Sequence, residues 1–202
     1  MLNMVLGYHL TLCTYGFWLP NDPRGSYSDY VGAKHLLPYG TATKVETRRS
    51  LARKPHNFTV RRLAKEALKY APVELTGIQA REVGRAFGKY LRDSDITVWA
   101  CCILPHHAHL AVARCHLEIE EVANQLKGAA TRQLIATNMH PLSAWTTVRG
   151  RPPCMWSRKE WKVFLDSEDD IRRTIRYVND NPVREGKRPQ TWGFVTPYTN
   201  AV

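Results

Sequence analysis

The stretch that most constrains this chain is ITVWACCILPHHAHLAVAR, residues 96–114. It is rich in strand-forming residues and is interrupted once, at Leu104-Pro105. Proline has no N–H to give to a ladder, so it does not sit inside a central strand. The run therefore divides into two strands joined by a tight connection. A further strand is expected within residues 7–19, where Tyr, Leu, Cys, Phe and Trp are dense. Pro20-Asn21-Asp22-Pro23-Arg24-Gly25 stops it with strong turn chemistry.

Helices are expected between these strands. Thr76-Gly77-Ile78-Gln79 reads as a capping box, and Ala80, Val83, Phe87, Tyr90 and Leu91 recur behind it at helical spacing, to about Arg92. A second long helix spans about Glu118 to Thr137, with Ile119, Val122, Leu126, Ala130 and Leu134 inward. Trp156 to Leu165 suggests another strand, with Trp156 and Trp161 read as core. Ser167-Glu168-Asp169-Asp170 caps a last helix whose acidic first turn suits the helix dipole. Ile171, Ile175 and Val178 form its apolar stripe. A shorter basic helix is expected around Val60 to Tyr70. The order is strand, helix, strand, strand, helix, strand, helix. Two helices on one face of a largely antiparallel sheet make an α+β sandwich of ferredoxin-like type. Residues 1–202 read as one domain, with an insertion at about 26–75.

Composition narrows the function classes. A chain that is 44% hydrophobic and 23% charged is neither disordered nor collagen-like. No apolar run reaches the roughly 18 residues of a membrane span. The apolar N-terminus lacks a basic leader and reads as strand, not signal peptide. The five cysteines form no CxxC pair, so they are expected as free thiols in a reducing cytoplasm. Lys and Arg total 29 against 18 acidic residues, a net charge of +11. That balance favours a polyanion, nucleic acid before acidic lipid, although an ordinary basic enzyme shares it.

Two features carry chemistry. In His106-His107-Ala108-His109 the residues two apart project from one strand face, so His107 and His109 point together. Such a pair is half of a metal site, or simply two strand histidines. Tyr177 lies six residues past Ile171, about 240° around the helix and off its apolar stripe. Asn181 follows four residues later and adjoins it if the helix is continuous, while Pro182 disfavours helical geometry there. Arg173, Arg176 and Arg184 cluster around the tyrosine, and Lys127 lies on the second long helix. These are candidate phosphate contacts or solvated surface charges.

ILPHHAHLAV followed about seventy residues later by YVNDNPVREG resembles the single-tyrosine HUH nucleases. Within them the chain is most similar to the REP-associated tyrosine transposases and related insertion-sequence transposases. Those proteins carry a Pro-x-His-u-His strand, u being a bulky apolar residue, and a later Tyr-x-x-x-Asn-Pro helix. TYGFWLPNDPRG also resembles one branch of the group. The resemblance covers roughly residues 7–195. It implies the HUH endonuclease fold and cleavage of hairpin-flanked single-stranded DNA through a 5′-phosphotyrosine. Carried over by residue, it makes Tyr177 the nucleophile, His107 and His109 the metal pair, and Asn181 the third polar ligand, with Mg²⁺ or Mn²⁺ bound. Ala108 is smaller than the usual apolar residue, and His106 stands where an acidic or polar residue is common. The implied setting is cytoplasmic and nucleoid-associated, as monomer or homodimer. Two other readings stay open: a domesticated hairpin-DNA-binding protein of the same fold, and a zinc hydrolase using HxH with distant carboxylates. The first has no need of an intact His107, His109 and Tyr177, and the second lacks an HExxH-type companion.

Overall fold

Thr76 starts the first long helix by a reciprocal cap. Its Oγ1 accepts from the Gln79 N–H at 3.3 Å, while its own N–H donates to Gln79 Oε1 at 2.9 Å. The capping box read from the sequence is therefore present, and it opens α2 (Gly77–Asp93). In the computed structural model the described residues are 4–17, 19–20, 22, 31–42 and 56–199. Before α2 lie β1 (Gly7–Cys13), a short 3-10 helix (Lys34–Tyr39) and α1 (Phe58–Glu66). After it come β2 (Val98–Ile103), β3 (His107–Ala113), α3 (Ile119–Ala136), β4 (Trp161–Leu165) and α4 (Glu168–Arg184).

The four strands form one sheet in the order β2-β3-β1-β4, antiparallel throughout. The connection β1-α2-β2 steps past β3, and β3-α3-β4 steps past β1. This is the split βαβ arrangement of ferredoxin-like folds, as the element order implied. Pro105 sits in the β2–β3 connection, which closes with the Leu104 N–H on His107 O at 2.8 Å.

Strand alternation gives the sheet two different faces. Leu10, Leu12, Ala108, Leu110 and Val112 face α2 and α3. There they pack with Val83, Phe87, Leu91, Val122, Leu126 and Leu134 into the main core. The opposite face holds a smaller cluster in which Val178 and Ile175 of α4 cover Ala100, Cys102, Leu104 and Ala111. Two long helices thus share one face, as expected, and α4 lies alone on the other. A third cluster packs Leu19 against Leu36 of the 3-10 helix and Ala64 of α1, the latter two within the expected insertion.

Several boundaries move. Strand β1 ends at Cys13, and the expected strand to residue 19 continues only as a bridge from Thr14 to Trp156. Strand β4 is correspondingly short, and Trp156 packs as core, its indole N–H donating to Lys127 O at 3.0 Å. Trp161 is half-buried instead. Helix α1 begins earlier than expected because Asn57 caps it, accepting from the Val60 N–H. Most of the turn at 20–25, and residues 43–55 of the insertion, lie outside the described residues. Among the described residues no helix is long and apolar enough to cross a membrane.

Candidate active site

The site is built on the α4 face of the sheet. His107 and His109 are both buried on that face of β3, with ring centroids 4.6 Å apart. Register brings further polar groups beside them: Thr11 of β1 and Cys102 of β2 both pair with His109, and His9 pairs with Ala111. His109 Nδ1 lies 2.9 Å from Thr11 Oγ1 and 3.1 Å from His9 Nε2. Burial, reinforced by His107 and His9, holds the His109 imidazole well below its usual range. Burial likewise pushes His9 down to about 4. Both rings are therefore neutral near pH 7, the form in which an imidazole donates a lone pair to a metal.

Helix α4 carries the second half. Ser167 caps it by accepting from the Asp170 N–H. Ile171, Thr174 and Val178 are buried, which turns the neighbouring Tyr177 along the sheet. The Tyr177 ring stands edge-on to His109 and His9, with centroids 5.4 and 5.5 Å away. Its phenol is raised above the ordinary value chiefly by burial, while a hydrogen bond to Asn181 and the Arg184 guanidinium pull it back. The Arg184 guanidinium lies 5.8 Å from the ring centre.

Pro182 does not end the helix: α4 runs through it to Arg184. A proline near a helix end removes one intrahelical bond at most, and here the last carbonyls find other donors. Glu185 N–H reaches Asn181 O at 3.1 Å, and Lys187 N–H reaches Pro182 O at 2.7 Å. Tyr177 and Asn181 therefore share one face, and the Asn181 amide is buried. One turn further, Glu185 Oε1 lies 3.8 Å from His107 Nε2.

Among the described residues no group of three or more His, Cys, Asp or Glu forms a ready metal cage. What converges is two imidazoles, one of them held well below its usual range by burial, and an amide. That donor set fits a divalent ion that keeps open positions for phosphate oxygens and water.

Neither a family model nor a curated protein matches this chain. Several solved structures are similar to it, among them two transposases. The REP-associated tyrosine transposase bound to a REP hairpin shares 14% identity over 92% of this chain and 72% of its own, with a TM-score of 0.48. A candidate transposase from Deinococcus radiodurans R1 shares 14% identity over 88% of this chain and 91% of its own, with a TM-score of 0.39.

The predicted site residues are not all together. Tyr177, His107, His109 and Asn181 converge. Arg173, Arg176 and Arg184 are exposed on α4, with Arg173 paired to Asp170 and Arg184 to Asp180 at 3.6 Å. Lys127 is corrected. It is buried on α3, on the other side of the sheet, with Nζ 3.1 Å from Glu160 Oε2 and 3.4 Å from Arg158 O. Its charge is already matched inside the protein. His9, Thr11 and Glu185 went unread in the sequence. The period-2 spacing of His9 and Thr11 in β1 is visible there, but their partner strand is about a hundred residues away.

Proposed function

We propose that this protein is a metal-dependent single-strand DNA endonuclease and strand transferase acting on hairpin-flanked DNA, with Tyr177 as nucleophile. One observation carries the reading: α4 holds the Tyr177 phenol against the buried His109 imidazole and hydrogen-bonds it to Asn181. A tyrosine with only a structural role has no need of two imidazoles packed edge-on to its ring and a buried amide bonded to its hydroxyl. The single-stranded, hairpin-flanked substrate comes from the motif resemblance, and the basic flank of α4 agrees with it.

The phenolic oxygen attacks phosphorus, and a Tyr–O–P bond forms as the P–O3′ bond breaks. The phenol loses its proton, and the departing 3′ oxygen takes one up. The DNA 5′-phosphate remains on Tyr177, and a 3′-hydroxyl reverses the same step to rejoin a strand. Held by His107, His109 and Asn181, Mg²⁺ or Mn²⁺ would supply neutralisation of charge on the phosphate oxygens. Asn181 orients the phenol, and Arg184 favours its deprotonated form. Arg173 and Arg176, exposed on the same helix, would meet backbone phosphates.

The test is a suicide hairpin substrate whose freed 3′ fragment diffuses away. Wild type is expected to retain a denaturant-resistant adduct that mass spectrometry maps to Tyr177. Tyr177→Phe, lacking one oxygen, is expected to bind the hairpin and give neither adduct nor cleavage. Cleavage without an adduct, or by Tyr177→Phe, would replace this reading with direct hydrolysis by water.

A further inference from the structure

We infer that α1 and the chain just after β1 build a second DNA contact, a cleft beside His107 in which Lys65 and Arg61 hold a backbone phosphate and Phe17 stacks the adjoining unpaired base. The inference rests on the single-strand reading above and adds residues that lie off α4.

The cleft is made by a short segment clamped against the histidine loop. After β1 the Thr14 N–H donates to His106 O at 2.8 Å, and the Val73 N–H donates to Tyr15 O at 2.9 Å. Gly16 follows with φ +83°, a left-handed conformation that glycine adopts without strain, and a Cβ there would stand 3.0 Å from Leu68 and Pro72. That turn sets the half-buried Phe17 ring against the histidines, its centroid 5.3 Å from the His107 ring and 6.5 Å from the His106 ring. Arg61 and Lys65, four apart on α1, share one helix face. They line the cleft together with Phe17, Pro72 and His106.

Size and charge say what the cleft takes. Its volume is about 60 Å³, where a single water needs about 10–15 Å³. It therefore admits a group of several heavy atoms, such as a phosphate, and not a folded partner. Two carboxylates stand near it. Asp22 Oδ2 matches Arg61 at 3.3 Å, and the exposed Glu74 places Oε1 3.8 Å from His106 Nε2. No ion pair engages Lys65 among the described residues, so its ammonium is the charge left to meet an anion, with the Arg61 guanidinium beside it. An aromatic ring next to a cation is the pairing that holds an unpaired nucleotide, base on ring and phosphate on ammonium. Phe17 already abuts His107, so a strand lying over Tyr177 and His107 continues directly onto it.

The experiment measures fluorescence anisotropy of the full chain with a labelled hairpin carrying single-stranded flanks, and with the same hairpin blunt, across salt and in EDTA so that the DNA stays whole. Wild type is expected to bind the flanked hairpin more tightly than the blunt one. On the flanked hairpin, Lys65→Ala is expected to lower the slope of log affinity against log salt by about 0.7, the value for one single-strand phosphate. Phe17→Leu is expected to weaken that hairpin about five- to a hundredfold, the range for one stacked base. Both variants should bind the blunt hairpin as wild type does, and Lys89→Ala, on α2 across the sheet, should change neither. Flanks carrying 5-iododeoxyuridine, photocrosslinked to wild type, are expected to attach at Phe17, which decides the matter if Phe17→Leu fails to fold. Wild-type affinity and slope in folded Lys65→Ala and Phe17→Leu, or crosslinks confined to α4, would overturn the cleft and leave the nuclease reading to the Tyr177 adduct. Equal binding of flanked and blunt hairpins, with the adduct still formed, would overturn the cleft alone. No adduct and no preference for flanks would overturn both.

Discussion

Replacing Lys127 by methionine separates a structural cation from a DNA-binding one. The ammonium lies 3.1 Å from the Glu160 carboxylate, and the two side chains are only 8% and 12% exposed. Methionine keeps most of the side-chain volume and removes the charge. Glu160 is then a buried carboxylate without its cation, a change that costs about 3–5 kcal/mol in comparable settings. Against a total stability of about 5–15 kcal/mol this is a large fraction. Urea unfolding at pH 7 reads it directly. The double variant Lys127→Met/Glu160→Gln is expected to recover most of the loss, because it removes the orphaned charge as well. The second arm measures binding to a single-stranded hairpin-flanked oligonucleotide across salt. Lys127 lies on the face of the sheet away from Tyr177, so the slope of log affinity against log salt should not change. Arg184→Ala, at the tyrosine, should lower that slope by about 0.7, the value for one phosphate contact on a single strand. A loss of stability under about 1 kcal/mol, as for an exposed pair, would refute the burial argument. A slope reduced by about 0.7 in folded Lys127→Met would restore the lysine to the DNA surface.

His9→Ala removes the ring that touches both His109 and Tyr177. Cleavage rate is expected to fall by roughly ten- to a hundredfold, as for groups that orient a ligand, with hairpin affinity unchanged; an unaltered single-turnover rate would count against the positioning role. Acid should destabilise the metal-free protein through the same residue. His9 is pushed down to about 4 in the fold, against about 6.5 unfolded. The unfolded chain therefore takes up a proton first, and stability present above pH 6.5 is lost as the pH falls towards 4, by about 3 kcal/mol from this group. Urea midpoints at pH 7, 5.5 and 4 check it, and His9→Leu should flatten the profile.

Local signals carried most of the fold. The β2–β3 connection at Pro105, the capping box at Thr76 and the spacing of apolar residues in α2 and α3 are all written within a few turns of chain. Which face receives α4 is not. Its stripe of Ile171, Ile175 and Val178 says that the helix packs, and the partner, Ala100, Cys102 and Ala111, is decided by the sheet as a whole. Lys127 fails for the same reason. A lysine on a basic protein's helix reads as surface until Glu160, 33 residues on, is seen to reach it. The link between Tyr177 and Asn181 was weakened in the sequence by Pro182. The proline sits close enough to the helix end for the remaining carbonyls to bond elsewhere.

The two faces of the sheet divide the work. The α2–α3 face takes the large side chains, Leu10, Leu12 and Leu110 with Phe87 and Leu91, and supplies most of the apolar burial. On the α4 face the strand residues under the helix are small, Ala100, Cys102 and Ala111, with Leu104 at the strand end and Trp99 packed beside them. Small residues there let a single helix approach the strands closely enough for the Tyr177 ring to meet His109. A larger core on that side would hold α4 away and leave the imidazoles open to water. Because the main core lies on the other face, the polar groups beside Tyr177 need not be exchanged for better packing. His9, Thr11 and His109 can then be buried against one another as a connected polar set, each satisfying part of the next. That arrangement fixes the rings in place before any substrate arrives, as the proposed in-line attack of Tyr177 on phosphorus would require.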